Sequence, residues 1–286
     1  MNDSTTVDDR RIRSLRPPKA AVDAWQPPAA IVERERVAGG AVETALTVFL
    51  IGRECPFTCV FCDLWRHTLD DATPVGSLLR QLDAAIAEHG GSDDRARGAA
   101  TAIKLYNASN FFDPRAVPDD DLEAIAERVA GFDRVTVESH PLLTGERCRR
   151  LAARLDGRLE VAMGLETAHP RVLPLLNKKL RLDDFDRAAS RLRRDGVAVR
   201  AFVLVGVPFL PPEEQVEWAV RSVEHAAAQG AGCVALIPVR GGNGEMERLR
   251  ASGDWTPPSL TMLEEALEQV IESPGVVVTA DTWDLE

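Results

Sequence analysis

Apolar and polar positions follow two rhythms along this chain, and the rhythms take turns. Short, nearly continuous apolar runs at 45–51, 101–106, 134–137, 159–163, 197–205, 233–239 and 276–279 predict strands buried on both faces. After each of the first six comes a stretch in which apolar residues recur at i, i+3, i+4 and i+7, as in Leu122, Ile125, Ala126 and Val129, or Phe185, Ala188, Ala189 and Leu192. That spacing gives an amphipathic helix one apolar stripe to lay on a sheet. Strand then helix, six times over, with a seventh strand to close, predicts parallel pairing with right-handed crossovers. The fold class is α/β, a partial (βα)6 TIM-like barrel left open rather than the full eightfold ring. Ahead of it, 30–36 and the run from Ala41, separated by Gly39 and Gly40, predict a hairpin over 30–44. The barrel then covers 45–280 within a core domain of 30–286.

Three stretches break the rhythm. Residues 1–29 are expected to form a mobile charged arm, because Arg10, Arg11, Arg13, Arg16 and Lys19 stand there among Asp3, Asp8 and Asp9. Residues 90–98 are a polar insertion, and the Gly- and Pro-rich stretch 240–258 is long enough for a lid.

Composition narrows the class further. With 286 residues, 45% of them hydrophobic, the chain can bury the core of one large domain. A net charge of −11 gives no general basic footprint for nucleic acid. Five cysteines, three of them clustered, make no even disulfide framework, and neither a signal peptide nor a long apolar span is evident. A reducing cytoplasm and no membrane are therefore expected.

The clustered cysteines are Cys55, Cys59 and Cys62, in a CxxxCxxC spacing directly after the first strand. Three thiolates on one loop suit a thiophilic centre, and a [4Fe–4S] cube held by three keeps one iron without a protein ligand. A zinc site is the alternative, but it wants a fourth ligand at characteristic spacing, and only His67 is near. Three unrelated core thiols are the other. Since parallel barrels carry their sites at the carboxyl ends of the strands, the loop belongs at that mouth. Cys148 and Cys233 fall on a helix stripe and a strand and read as core thiols.

The spacing, with Phe61 just before the last cysteine, resembles the signature of the radical S-adenosylmethionine (radical SAM) superfamily. The resemblance extends over residues 48–239 and is similar in its core to the oxygen-independent coproporphyrinogen oxidase branch. It implies a radical SAM barrel in which SAM chelates the open iron through its methionine amine and carboxylate. One electron from the cluster then splits SAM into methionine and a 5′-deoxyadenosyl radical. It also implies roles strand by strand. After the second strand, Asn107 and Ser109 stand where relatives carry glycines that hold the SAM amine; both are also ordinary turn residues. Glu138, ending the third strand ahead of His140 and Pro141, would meet the same amine. His140 beside it is more simply a hydrogen-bonded structural group. Glu166, ending the fourth, would accept from the ribose hydroxyls. Lys178 occupies the position of an arginine that holds the SAM carboxylate, unless it and Lys179 are simply solvated. Gly206 after the fifth strand and Val239 after the sixth would let the backbone meet the adenosine.

Within the superfamily the segments IKLYNASNFFDP, NKKLRLDDF and GVPFLPPEE resemble most the group of the archaeosine synthase radical SAM subunit. That relation implies a tRNA base or nucleoside as substrate, carbon–nitrogen bond cleavage, a partner subunit, and a reductant such as flavodoxin or ferredoxin. A small metabolite as substrate, or a cluster or zinc protein without turnover, remain the other readings.

Overall fold

The computed structural model describes residues 8–19, 21–89 and 100–282. The polar stretch 90–98 expected as an insertion lies outside the described residues, as do 1–7 and 283–286. Helix α1 (Asp9–Leu15) comes first, followed by a hairpin of β1 (Ala29–Arg36) and β2 (Val42–Phe49), paired antiparallel from Ala29 with Phe49 to Arg36 with Val42. Gly39 and Gly40 make the turn at φ +87° and +83°, a backbone region that side-chain-bearing residues rarely adopt. β2 is therefore both the second strand of the hairpin and the first of the barrel, so no boundary falls at residue 44.

From β2 onward every pairing is parallel and the strands lie in chain order: β3 (Ala102–Tyr106), β4 (Arg134–Ser139), β5 (Arg158–Glu166), β6 (Ala198–Val205), β7 (Cys233–Pro238) and β8 (Val277–Ala280). The eight strands curl into a half-barrel. Between them run α2 (Ser77–His89), α3 (Asp119–Val129), α4 (Glu146–Ala152), α5 (Leu182–Arg194), α6 (Gln215–Ala228), α7 (Glu245–Ser252) and α8 (Leu260–Val270). All but α7 stand where the helical spacing predicts them.

The two faces of the sheet carry different chemistry. Val48, Leu105, Val137, Val161, Val203 and Leu236 pack under the apolar helix stripes in one continuous core. Each such burial stabilises the fold by about 1.5–3 kcal/mol. Alternate positions on the same strands form a buried ion network. Arg200 meets Glu160 and Glu35 (both 2.9 Å), Lys104 meets Glu33 at 3.0 Å, and Arg134 meets Glu43 at 3.0 Å. β1 supplies Glu33 and Glu35, which explains why this hairpin strand has an acidic residue at every second position near its end: they neutralise cations inside the barrel. Above the network Tyr106 lies 6.4 Å from both Phe49 and Phe202, an aromatic layer between the ionic base and the mouth.

Two expectations are corrected. The segment expected as a free arm instead contains α1, whose Ile12 is buried in a second apolar cluster with Val60, Met246 and Trp255. Arg11 pairs with Glu245 at 3.0 Å and Arg16 with Glu54 at 2.7 Å, so these two charges are partnered within the fold. The stretch expected as a lid contains α7, held down by buried Met246 and Leu249. Two well-spaced apolar residues were enough to dock a helix that the flanking glycines and prolines disguised.

Candidate active site

Cys55, Cys59 and Cys62 lie on the irregular segment that leaves β2, at the carboxyl ends of the strands. What fixes this loop is mostly not cysteine. Val60, fully buried, plants the middle of the loop in the second apolar cluster, with Phe61 packed partly buried beside it. Asn243, just ahead of α7, donates from Nδ2 to the carbonyls of Val60 (2.7 Å) and Cys62 (3.2 Å), while its Oδ1 caps α7 by accepting from the Met246 N–H. On the other side Thr58 Oγ1 donates to Asp9 of α1 at 2.7 Å, and Asn177 Nδ2 donates both to Asp9 (2.8 Å) and to the Thr58 carbonyl (2.8 Å). α1 thus ties the cysteine loop to the segment that carries Lys178.

Lys178 is the hub. Its ammonium lies 2.6 Å from Glu166 Oε1, with the lysine 7% and the glutamate 5% exposed. Burial opposes its charge, yet Glu166 and the nearby thiols hold its pKa well above the usual lysine value. Its field reaches all three cysteines, where it offsets part of the burial that pushes Cys55 and Cys59 up and takes Cys62 to about 12. Local backbone geometry serves this arrangement. A bulge between Gly164 and Glu166 breaks the β5–β6 register, leaving Glu166 at φ +67°, and Asn177 and Lys179 sit at +53° and +59° on either side of Lys178. Non-glycine residues in this region cost of order 1 kcal/mol each, and bulges re-aim side chains beside functional sites. A methyl group on Gly164 would overlap the Glu166 carboxylate and come within 2.6 Å of Lys178 Nζ, so only glycine leaves room for the pair.

Glu138 ends β4 facing the turn 107–109. It accepts from the Asn107 N–H at 2.7 Å and from those of Ala108 and Ser109, but burial outweighs these bonds and pushes its pKa up to about 7. Asn107 is completely buried, and both its amide atoms and the hydroxyl of Ser109 lack a partner among the described residues. A buried amide without partners is costly unless something else completes it. His140 is structural at its ring. Its Nδ1 accepts from Leu142 N–H at 3.2 Å, so the ring proton lies on Nε2 and is donated to the Lys178 carbonyl at 3.0 Å; burial first, then Lys178, lowers its pKa to about 3. Phe57 stacks on this ring at 4.0 Å.

The remaining expected positions are engaged within the protein. Gly206 sits at φ +79° with the Pro258 ring where a Cβ would be, and its carbonyl accepts from Trp255 Nε1 at 2.9 Å. The Val239 N–H donates to the Val205 carbonyl at 2.9 Å. Cys148 and Cys233 are buried in the helix–sheet layer and at the start of β7. Among the described residues no three His, Cys, Asp or Glu side chains converge closely enough to ligate one ion. A cube takes each thiolate on a separate iron and so spreads its ligands more widely than one zinc ion does. Asn110 and Phe57 escape sequence reasoning altogether: Asn110 Nδ2 donates to Cys55 Sγ at 3.0 Å, a contact made only once β2 and β3 are adjacent.

A half-barrel with a three-cysteine loop at its carboxyl mouth defines a class of cofactor-dependent barrel proteins. Residues 49–223 match the radical SAM superfamily, and the chain belongs to it. Enzymes of this superfamily use a [4Fe–4S] cluster and SAM. The chain is 20% identical over 254 residues to an uncharacterized protein of Methanocaldococcus jannaschii, covering 85% of this chain and 69% of that one. It is 28% identical over 174 residues to archaeosine synthase subunit beta of Methanosarcina acetivorans, covering 58% of this chain and 50% of that one. Only about half of that subunit is therefore matched. Among solved structures, coproporphyrinogen III oxidase from Escherichia coli, itself a radical SAM enzyme, aligns over 80% of this chain and 52% of its own at 13% identity and a TM-score of 0.53. Elp3 of Methanocaldococcus infernus aligns over 70% and 51% at 16% identity, with the same TM-score of 0.53. These two share the fold. Among the described residues no helix is long and apolar enough to cross a membrane.

Proposed function

We propose that this chain is a radical SAM enzyme that holds a [4Fe–4S] cluster through Cys55, Cys59 and Cys62, binds SAM at the barrel mouth, and modifies a nucleoside or a tRNA-borne base together with a partner subunit. A low-potential reductant such as flavodoxin or ferredoxin supplies the electron. The observation that carries the reading is the position of Lys178: one buried ammonium, paired with Glu166 at 2.6 Å, on a segment whose Asn177 and Leu176 are hydrogen-bonded to Thr58 and Val60 of the cysteine loop. The donor set fits the group. Three thiols favour iron and sulfide, and Asn107 and Ser109 have buried polar atoms without a hydrogen-bond partner among the described residues, which a bound ligand could complete.

When bound and reduced, the cluster supplies the electron that splits SAM into methionine and a 5′-deoxyadenosyl radical. The protein's own part is binding, orientation and exclusion of water. Lys178 offers a point charge to a carboxylate, and Glu138 a carboxylate to an ammonium, ionising as that charge arrives. Glu166, once shared with a ligand, accepts from a pair of ribose hydroxyls. Asn107 and Ser109 complete the amine side. α1 and α7 hold the cysteine loop in place while this happens.

The relative named archaeosine synthase subunit beta supports a modified-nucleoside substrate and a partner subunit. A small metabolite is the second reading, favoured by the net charge of −11, which works against unaided binding of a polyanion. The test is anaerobic reconstitution with iron and sulfide, then dithionite and SAM. Release of 5′-deoxyadenosine supports the enzyme; a loaded cluster with no cleavage leaves a cluster protein without turnover. Salt-sensitive tRNA binding by the active protein, alone or with its partner, separates the first substrate class from the second.

A further inference from the structure

Asn110 follows the turn after β3 and is 2% exposed. Its two amide ends are committed to different partners. Oδ1 accepts from the backbone N–H of His140 at 2.6 Å, and Nδ2 lies 3.0 Å from Cys55 Sγ. The assignment of the two ends is not interchangeable, because only the oxygen can accept from a backbone N–H; the sulfur must therefore face the NH2 group. The partner N–H belongs to the end of β4, where the His140 ring stacks on Phe57 and donates to the Lys178 carbonyl. Phe57 in turn offers its own N–H to Cys55 Sγ at 3.5 Å. Asn110 thus couples one cysteine of the loop to the strand end that also fixes Lys178.

We propose that Asn110 is a positioning residue for the cluster: it holds Cys55 in its ligating orientation and, by donating to that sulfur, raises the cluster's reduction potential. The inference rests on the reading of Cys55, Cys59 and Cys62 as cluster ligands. The physics is charge. Reduction adds one negative charge to the cluster and its sulfurs, so an N–H donor stabilises the reduced form more than the oxidised one. A hydrogen bond to a charged acceptor in a buried site is strong enough for that difference to be measurable.

Asn110→Asp keeps an oxygen for the His140 N–H but sets a carboxylate against the sulfur, so it is read together with Asn110→Ala, which removes the donor without adding charge, and a lowered potential counts for the proposal only where N110A shows it too. Wild type, N110D and N110A are reconstituted anaerobically, iron and sulfide per chain are counted, and the cluster is titrated with EPR detection. At the potential where the wild-type cluster is half reduced, the reduced-to-oxidised ratio in N110D is expected to fall about tenfold, which for a one-electron couple is 59 mV. N110A is expected to shift in the same direction. A loaded N110D with the wild-type potential overturns the proposal. Should N110D fail to load, N110A decides it: a lowered potential supports the role and an unchanged one overturns it. Failure of the wild type itself to take up iron overturns the cluster reading instead, so the two failures are told apart.

Discussion

The Lys178 ammonium and the Glu166 carboxylate are paired 2.6 Å apart in a nearly water-free site, although the proposed function gives each a different part of the ligand. Left-handed backbone at Glu166, Asn177 and Lys179 holds them together. The pairing solves a problem of the ligand-free protein. Either charge alone, buried at this depth, would be strongly destabilising, and a ligand bringing both a carboxylate and hydroxyls can replace the contacts each gives up.

Breaking one side of this pair should cost the ligand-free protein about 3–5 kcal/mol, because the survivor is left charged and unpaired. Lys178→Met and Glu166→Leu should each lower stability in urea by that order, whereas the double variant should recover most of the loss. Strict additivity of the two single losses would show that the charges do not interact.

Cluster loading separates the five cysteines. Cys59→Ala should abolish the iron–sulfur absorbance after anaerobic reconstitution, since it leaves only two thiolates on the loop. Cys148→Ala and Cys233→Ala should load like wild type, because both thiols are buried in the scaffold, with burial raising their pKa values to about 12 and about 11. Iron content per chain is the measurement, and loss of loading in C148A or C233A would reassign the ligand set.

Much of this architecture was legible because it rests on local periodicity. Val135 and Val137 or Val161 and Met163 point to a common core whatever the neighbours are, so strand and helix order followed from the chain. The cysteine loop was equally plain, since its ligands are close in sequence. α1 was not, because Ile12 and Leu15 stand among charges whose partners, Glu54 and Glu245, lie far along the chain. The Glu166 bulge was hidden for a different reason: a register shift depends on how β5 and β6 meet, and nothing in the string GLET announces it. Asn110 carried no role in the segment IKLYNASNFFDP, because its partners Cys55 and His140 meet it only in the folded sheet.

Glu138 and His140 make opposite contributions to stability over an acidic window. Glu138 is raised to about 7 from 4.5, so the folded state keeps a proton the unfolded chain has lost; its stabilisation is complete below 4.5 and declines as pH rises through 7. His140 is lowered to about 3 from 6.5, so its contribution is complete above 6.5 and declines as pH falls toward 3. Between 4.5 and 6.5 the two largely cancel. Glu138→Gln removes one of them. The stability of wild type relative to E138Q should therefore fall with rising pH between 4.5 and 7, by about 1.4 kcal/mol per unit at most. Urea midpoints of the ligand-free proteins at intervals across that range are the check, and a constant difference would place Glu138 in a solvated, ionised state.

Asp9 is the contact through which α1 acts on the site. Its carboxylate accepts from Asn177 Nδ2 and Thr58 Oγ1 and pairs with Lys179 at 3.2 Å. The Asn177 and Thr58 bonds hold its pKa at about 2, so the clamp is fully formed above 3.8 and weakens only as pH falls toward 2. Removing it should loosen two segments at once, because Asn177 reaches both α1 and the Thr58 carbonyl, and the Val60 N–H donates to Leu176 at 3.1 Å beside it. Asp9→Ala should speed amide hydrogen exchange about threefold to tenfold in 58–62 and 176–179 while leaving the β-sheet amides unchanged, as expected for a local opening governed by charge-assisted bonds. Exchange confined to α1 itself would mean that Val60 and Asn243 hold the cysteine loop without help from the N-terminal helix.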